Sequence, residues 1–325
     1  ATWQMLLGDC IASMRSLPDG CVQTCITSPP YYGLRDYGHD GQIGLEESPA
    51  EYVARLVEVF REVRRVLRDD GTLWLNLGDS YSASPPGNVR GVSEKSGLAG
   101  ADSDRYRATL MSGHATKRDT SKIAGVKPKD LLGIPWMVAF ALRDDGWYLR
   151  SEIIWAKPNP MPESVTDRPT KAHEQVFLLS KQPRYFYDAD AIREPHVRKW
   201  DEETNGRGLY GGSGTDRPNK HNDLPVLPHP SGANKRTVWT VATQPYSGAH
   251  FATFPPNLIE PMMLAGSGPG DTVLDPFAGS GTTGMVALRH GRSFIGCELN
   301  PEYVALARRR IVDDAPLLNQ GCEEA

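Results

Sequence analysis

Two short segments of the chain combine residue types that could do chemistry together. Near the start, an apolar run ends in Ser28-Pro29-Pro30-Tyr31, which offers a hydroxyl, a carbonyl held by two prolines and an aromatic ring. Near the end, another apolar run leads into Asp-Pro-Phe-Ala-Gly-Ser-Gly-Thr-Thr at 275–283. The first segment could hold a planar base with an exocyclic amine. The second could hold a nucleotide-like cofactor, because its glycines permit close backbone approach at a helix start.

Two acids follow apolar runs in the same way. Glu298 ends the run after the glycine-rich segment, where an acid can accept both ribose hydroxyls, as in dinucleotide sites. The alternative is a helix-capping acid before Pro301. Asp9 follows Leu6-Leu7, and on these residues alone it indicates only a turn.

The order of the two segments resembles the DNA amino-methyltransferases, in the circularly permuted group whose catalytic motif precedes its cofactor motif. The resemblance extends through 70–81, 150–160 and 172–177, and so covers most of the chain outside two irregular regions. It implies an α/β fold, a Rossmann-like S-adenosylmethionine-dependent methyltransferase sheet with inserted target-recognition segments. It also implies methyl transfer from S-adenosylmethionine to the amine of cytosine or adenine in double-stranded DNA.

The family pattern implies which residues bind the cofactor. Asp9 would meet the adenine amine, and Thr253 and Phe254 would contact the methionine moiety; otherwise that segment only precedes a proline-started helix. The cofactor residues implied are Asp9, Cys10, Thr253, Phe254, Asp275, Pro276, Phe277, Gly279, Ser280, Gly281, Thr282, Thr283 and Glu298.

The catalytic residues implied are Ser28, Pro29, Pro30 and Tyr31. An exocyclic amine is a poor nucleophile because its lone pair is delocalised into the ring. Acceptors at Ser28 Oγ and the Pro29 carbonyl can stabilise the charge that develops on the nitrogen. Tyr31 would stack on a base flipped out of the duplex. The alternative for this segment is a plain turn at a strand end.

Further residues are expected to contact the substrate. These are Tyr32, Trp155, Lys157, Asn159, Arg105 and Arg107. For Trp155 a place in the core, and for Lys157 a solvated strand end, are the alternatives.

Serine before Pro-Pro-Tyr resembles the cytosine-N4 enzymes more than the adenine-N6 enzymes. An adenine-N6 enzyme is the alternative activity, and a catalytically silent DNA-binding protein with the same fold is the alternative class. No metal is expected. A cognate restriction endonuclease is a possible partner, whereas the recognition sequence and the oligomeric state do not follow from the sequence.

Bulk properties allow one large catalytic domain with insertions. The net charge of −4 over 325 residues argues weakly against a nucleic-acid partner, because phosphates bind to basic surfaces. The stretch 82–128, however, contains eight Lys/Arg and only four acids. That stretch is either a DNA-contact region or a solvated loop. The expected division is a catalytic domain at 1–81, 129–187 and 238–315, a DNA-contact insertion at 82–128, a target-recognition region at 188–237 and a flexible tail at 316–325.

Alternating apolar runs and helical patterns predict the α/β sheet. Strands are expected at 25–27, 72–77, 151–155, 175–179, 272–274 and 293–296. Helices are expected from Pro49 to about Leu67, from Lys129 to Arg143, and over 257–265, 282–289 and 301–312, with a turn at 69–71. Five cysteines without metal-like spacing, no apolar run of about 18 residues and no basic N-terminal region predict a cytoplasmic protein without a membrane span.

Overall fold

A computed structural model describes residues 1–33, 41–82, 126–196, 229–244 and 254–314. Its strands are β1 (Trp3–Leu7), β2 (Val22–Thr27), β3 (Leu67–Leu77), β4 (Tyr148–Ala156), β5 (His173–Ser180), β6 (Val238–Thr240), β7 (Thr272–Asp275) and β8 (Ser293–Glu298). Its helices are α1 (Cys10–Arg15), α2 (Pro49–Val66), α3 (Ile134–Asp144), α4 (Pro256–Gly266), α5 (Thr282–Arg289) and α6 (Pro301–Asp314).

The eight strands form one mixed sheet in the order β1-β8-β7-β2-β3-β5-β4-β6. All neighbouring strands pair in parallel except β5, which is antiparallel to both β3 and β4. One edge of the sheet therefore collects the carboxyl ends of seven strands and the amino end of β5. Open α/β sheets bind ligands beyond the carboxyl ends of their strands.

Helices cover both faces of this sheet, as the apolar strands predict. Alternate residues along a strand point to opposite faces. Thus Cys25 packs with α1, α2 and α3, whereas its neighbour Ile26 packs with α4, α5 and α6. Phe177 and Leu178 on β5 divide in the same way. The described residues thus form three layers, and the carboxyl ends of the strands are left uncovered for the site.

Helix α2 begins with the capping signals that the sequence predicts. Ser48 Oγ accepts from the Glu51 backbone N–H at 3.2 Å, and the Glu51 carboxylate accepts from the Ser48 N–H at 3.0 Å. Pro49 occupies the first helical position. Such a cap stabilises a helix by about 1 kcal/mol.

Two expected boundaries are wrong. The turn expected at 69–71 lies inside β3. A Cβ added to Gly71 would lie only 2.9 Å from the Arg68 carbonyl oxygen, so glycine allows the backbone to pass there. Helix α3 begins at Ile134 rather than Lys129, because Lys129 (φ 70°) and Gly133 (φ 74°) have left-handed backbones. β1, α1 and the three-residue β6 were not predicted.

The segments expected to form the catalytic domain supply all eight strands of the described sheet. Most of 82–128 and 188–237, and the whole of 316–325, lie outside the described residues, so their expected roles remain predictions. Within the described ranges, no helix is long and apolar enough to cross a membrane.

Candidate active site at the carboxyl edge of the sheet

The Ser28-Pro29-Pro30-Tyr31 segment leaves β2 at this edge. The hydroxyl of the buried Tyr52 donates to the Pro30 carbonyl at 2.8 Å and holds the turn in place. Among the described residues, none donates a hydrogen bond to the Pro29 carbonyl. Ser28 and Tyr31 are half-buried beside it. Ser28 Oγ and the Pro29 carbonyl thus lie together at the end of β2, and their role as an acceptor pair stays a prediction.

A polar cluster surrounds the Tyr31 hydroxyl. This hydroxyl donates to Glu174 Oε2 at 2.6 Å and lies 2.7 Å from Asn76 Nδ2. Ser28 Oγ lies 3.4 Å from the same hydroxyl. Burial, and then the neighbouring Glu174 carboxylate, raise the pKa of Tyr31 well above its usual range, so the phenol stays protonated.

The ring of Tyr31 lies against the end of β3. A Cβ added to Gly78 would approach Tyr31 Cε2 to 2.5 Å and Cδ2 to 3.0 Å. Only glycine leaves room for the ring in this position. The ring orientation is therefore fixed by contact with Gly78 and by the hydrogen bonds of its hydroxyl.

Asp275 connects the cofactor segment to the catalytic segment. Its buried carboxylate accepts from Thr27 Oγ1 at 2.6 Å, Thr283 Oγ1 at 2.7 Å and the Phe277 N–H at 3.0 Å. Burial raises the pKa of Asp275 to about 6, against the lowering effect of these hydrogen bonds. All three bonds are made to the protein, so Asp275 holds β7, β2 and α5 together.

The rest of the glycine-rich loop is fixed from behind by α6. Arg310 donates to Ser280 Oγ and Thr282 Oγ1, both at 2.8 Å. Gly281 has a left-handed backbone (φ 77°), and a Cβ there would lie 2.9 Å from Ala307 Cβ. The side chains of the loop thus point inward, and the backbone at the start of α5 is what the loop can offer a ligand.

Two acids at neighbouring strand ends complete this side. Glu298 accepts from the Gly279 N–H at 2.9 Å and the Asn300 N–H at 2.8 Å, and so links the loop to the end of β8. Asp9 caps α1 by accepting from the Ala12 N–H at 2.9 Å. Asp9 is thus a helix cap, whereas at the start of α6 it is Asn300 Oδ1, not Glu298, that accepts from the Glu302 N–H, at 2.8 Å. These bonds leave room for further ones at both acids, because a carboxylate has about four acceptor positions.

Comparisons with known proteins identify the family of this chain. The model of a DNA methylase family, covering N6 and N4 enzymes, matches residues 22–309. The chain belongs to this family. It is 48% identical over 304 residues to the Type II methyltransferase M.Cfr9I of Citrobacter freundii, covering 94% of this chain and 86% of that protein.

Solved structures share the fold of this DNA methylase. The cytosine-N4-specific PvuII DNA methyltransferase matches with a TM-score of 0.60 at 20% identity, covering 99% of this chain and 94% of that one. A DNA modification methylase from Thermus thermophilus, TTHA0409, complexed with S-adenosyl-L-methionine, matches with a TM-score of 0.56 at 22% identity, over 97% of both chains. The Rossmann-like methyltransferase fold expected from the sequence is confirmed, and S-adenosylmethionine is the molecule bound in that Thermus thermophilus structure.

The cofactor segment of this methylase fits such a molecule. Gly281 precedes α5 without any side-chain cap, so the first N–H groups of the helix can face an anionic group. Glu298 and Asp9 place acceptors at adjacent strand ends for hydroxyl and amine groups. When bound, S-adenosylmethionine supplies an electrophilic methyl group on a sulfonium.

The structure describes two of the three other cofactor residues expected from the sequence outside the 275–283 loop. Cys10 is buried in the core, and this burial, with Asp9 next to it, raises the pKa of its thiol to about 12. Phe254 is half-buried against the core beside α4. Thr253 lies outside the described residues.

Of the expected substrate residues, Lys157 lies in the polar cluster, where its ammonium pairs with Glu174. Tyr32 and Trp155 are 1% and 3% exposed, and for Trp155 this burial favours the alternative of a place in the core. Asn159 uses both ends of its amide on the Thr243 backbone, at 3.0 and 3.3 Å. Arg105 and Arg107 lie outside the described residues.

Sequence reasoning missed two residues of the polar cluster. Asn76 lies near the carboxyl end of β3, and Glu174 is the second residue of β5. Both lie in segments that carry the family resemblance, but neither has a role that spacing reveals. Their meeting depends on β5 running antiparallel to β3, which places its amino end at the catalytic edge.

Proposed function

We propose that this DNA methyltransferase modifies the exocyclic N4 amine of a cytosine flipped out of double-stranded DNA. The observation that carries this proposal is the pair of acceptors at the end of β2, the Ser28 hydroxyl and the Pro29 carbonyl. Hydrogen bonds accepted from the two amine protons favour a tetrahedral nitrogen and stabilise the positive charge that develops there. Tyr31 supplies an aromatic face beside the acceptors.

The choice of cytosine over adenine rests on serine at position 28. Serine before Pro-Pro-Tyr resembles the cytosine-N4 enzymes, and the PvuII enzyme, which has this fold, is cytosine-N4-specific. Adenine-N6 methylation is the second candidate, since the matching family model covers both activities. Either amine must leave the base pair to reach Ser28.

The remaining roles are proposals of the same kind. Glu298, Asp9 and the 275–283 loop bind S-adenosylmethionine, Lys157 borders the base pocket, and Arg105 and Arg107 contact DNA phosphates. Segments 82–128 and 188–237 surround the duplex and read its sequence. The relatives are Type II methyltransferases, which supports a restriction endonuclease as the partner activity.

Mass spectrometry of nucleosides tests the proposed product. Methylation-free bacterial DNA is incubated with the enzyme and S-adenosylmethionine, then digested, with the same mixture lacking cofactor as control. N4-methylcytosine is the expected product. N6-methyladenine would replace the cytosine assignment by the second candidate, and no methylated base in any DNA would contradict the activity. Sequencing of the modified DNA then locates the recognition site.

A further inference from the structure

Five side chains from four strand ends form one polar cluster beside the proposed acceptor. Glu174 Oε2 lies 2.6 Å from the Tyr31 hydroxyl and 2.8 Å from Asn76 Nδ2. Asn76 Nδ2 lies 2.7 Å from the Tyr31 hydroxyl and 3.5 Å from Ser28 Oγ. Lys157 pairs with the other oxygen of Glu174. Ser28 thus stands at the outer end of a chain of hydrogen bonds that begins at a carboxylate.

A carboxylate accepts hydrogen bonds and donates none. The Tyr31 hydroxyl has a single proton, and at 2.6 Å from Glu174 it must donate that proton to the carboxylate. The Asn76 amide must likewise turn its NH₂ group toward Glu174. The Tyr31 oxygen is then left as an acceptor, and the remaining amide proton of Asn76 points to it.

We propose that Glu174 is a positioning residue that sets the direction of these hydrogen bonds and so makes Ser28 an acceptor for the target amine. With its own proton committed to Glu174, the Tyr31 oxygen accepts the proton of the Ser28 hydroxyl at 3.4 Å. The lone pairs of Ser28 Oγ then face the amine. This inference rests on the proposed acceptor role of Ser28, and it applies to cytosine and adenine alike.

Lys157 binds the other side of the Glu174 carboxylate. Its ammonium can only donate hydrogen bonds, so it occupies one oxygen of Glu174 and leaves the other to Tyr31 and Asn76. The two side chains are 17% and 15% exposed, and the pair is therefore shielded from water. The ammonium also lies 4.2 Å from the centre of the Trp155 ring, which holds it in place.

The cluster is not arranged for stability alone. Asn76 Oδ1 is buried and has no hydrogen-bond partner among the described residues. An unsatisfied buried amide oxygen is costly, and in native structures it calls for a specific explanation. The cluster offers an explanation: Asn76 must turn its NH₂ group toward Glu174 and Tyr31, and this orientation leaves its oxygen without a hydrogen bond.

Replacing Glu174 by Gln tests the proposal. The Gln amide can turn its NH₂ group toward Tyr31, so the Tyr31 hydroxyl no longer has to donate its proton to residue 174 and the direction of the hydrogen bonds is no longer fixed. Single-turnover methylation is measured with saturating S-adenosylmethionine on an oligonucleotide duplex carrying the site located by sequencing. The Glu174→Gln rate should fall by about 10- to 100-fold, as expected for a weakened catalytic hydrogen bond. Binding of cofactor and duplex should stay within about twofold of wild type, which a general loss of structure would not leave intact.

Glu62→Gln provides a matched control. Glu62 is also ion-paired, with Arg65, and its side chain is 19% exposed, but it lies in the second half of α2, away from the catalytic edge. Its replacement removes a similar charge and should leave the rate unchanged.

Tyr31→Phe provides a second variant that removes only a hydroxyl. It removes the next group in the same series of hydrogen bonds, the one that accepts from Ser28, so its rate should fall by a similar factor. The Glu174→Gln/Tyr31→Phe double variant should be no slower than the slower single variant. If Glu174→Gln does not fold, Tyr31→Phe decides the matter. A wild-type rate in a folded variant, multiplying effects in the double variant, or binding losses as large as the rate losses would overturn the proposal. If the target base is adenine rather than cytosine, the product nucleoside shows it, and the rates of these variants still test the role of Glu174.

Discussion

Gly78 shows how one missing side chain positions the ring of Tyr31. The Tyr31 ring occupies the space that a Cβ on Gly78 would need, at 2.5 Å from Cε2. The same ring is tied by its hydroxyl to Glu174 and Asn76. Gly78 therefore helps to fix the orientation of Tyr31, together with the residues that bind its hydroxyl.

A Gly78→Ala variant should consequently lose methylation rate while it retains its cofactor affinity. The added methyl group must displace the Tyr31 ring, and we expect single-turnover rates to fall by about tenfold or more, as for misplaced catalytic groups. Gly268→Ala is the matched control, since its Cβ would meet only Asp271 Oδ2 at an ordinary 3.5 Å. Equal rates for the two variants would show that the ring tolerates displacement.

Residue types predict part of this site, and the reason for the limit is physical. Ser28, Glu298 and the 275–283 loop stand out because each lies directly after an apolar strand, where local order in the chain fixes their place. Asn76 and Glu174 are 98 residues apart, and their contact is created by antiparallel pairing of β3 and β5. No local spacing encodes such a meeting.

At the scale of elements, the carboxyl end of β7 is held to β2 and α5 through one buried acid. Asp275 was expected to contact the cofactor, yet its oxygens bind Thr27, Thr283 and the Phe277 N–H. The sequence shows that this acid follows an apolar run but does not show which protein groups it binds, because Thr27 is 248 residues away along the chain. Its expected contact with the cofactor stays a prediction.

Asp275 should make stability depend on pH. Burial raises its pKa to about 6 in the folded protein, whereas an aspartate in the unfolded chain titrates near about 4. A raised pKa means that Asp275 favours folding below about pH 4, and that this contribution is lost as the pH rises from about 4 to about 6. Across that window, the unfolding free energy of Asp275→Asn should gain on the order of 2 kcal/mol relative to wild type.

Urea unfolding at several pH values between about 3.5 and about 7 measures this difference across the window set by the two pKa values. Asp144→Asn, which removes a carboxylate that is 74% exposed on α3, controls for the loss of one charge. A free-energy difference between Asp275→Asn and wild type that stays constant with pH would show that this carboxyl is not perturbed.

The strand boundaries follow the same logic as the site. Apolar runs predicted β2, β3, β4, β5, β7 and β8, because strands covered on both faces need such runs. β6 has three residues and only Trp239 buried, so its place depends on pairing with β4 rather than on its own pattern. Helix α3 starts late because Lys129 and Gly133 adopt left-handed backbones. The residues between them do not predict this conformation.

At the scale of the whole molecule, a weakly acidic chain acts on a polyanion. The net charge is −4, whereas 82–128 carries eight Lys/Arg against four acids. Positive charge concentrated in one stretch can bind phosphates even when the whole chain repels them. We therefore expect the DNA affinity to depend strongly on salt through this stretch.

Replacing both Arg105 and Arg107 by Ala should weaken binding to all duplexes and lower the slope of log affinity against log salt by about 2, since each lost phosphate contact accounts for about 0.9. Fluorescence anisotropy at several salt concentrations measures the slope. The exposed pair Arg308 and Arg309 on α6, replaced in the same way, serves as control. An unchanged slope in the first variant would assign its arginines to a solvated loop.

The account as a whole depends on Ser28, the acceptor at the end of β2. Ser28→Ala removes this acceptor and leaves the cofactor segment intact, so S-adenosylmethionine affinity in calorimetry should stay within about twofold of wild type. The single-turnover methylation rate should fall by about 100-fold, the size of effect seen when one oriented hydrogen-bonding group is lost. Ser16→Ala, which removes an exposed hydroxyl after α1, should change neither quantity. A Ser28→Ala rate within about threefold of wild type, at unchanged cofactor affinity, would contradict the central claim that this strand end activates the target amine.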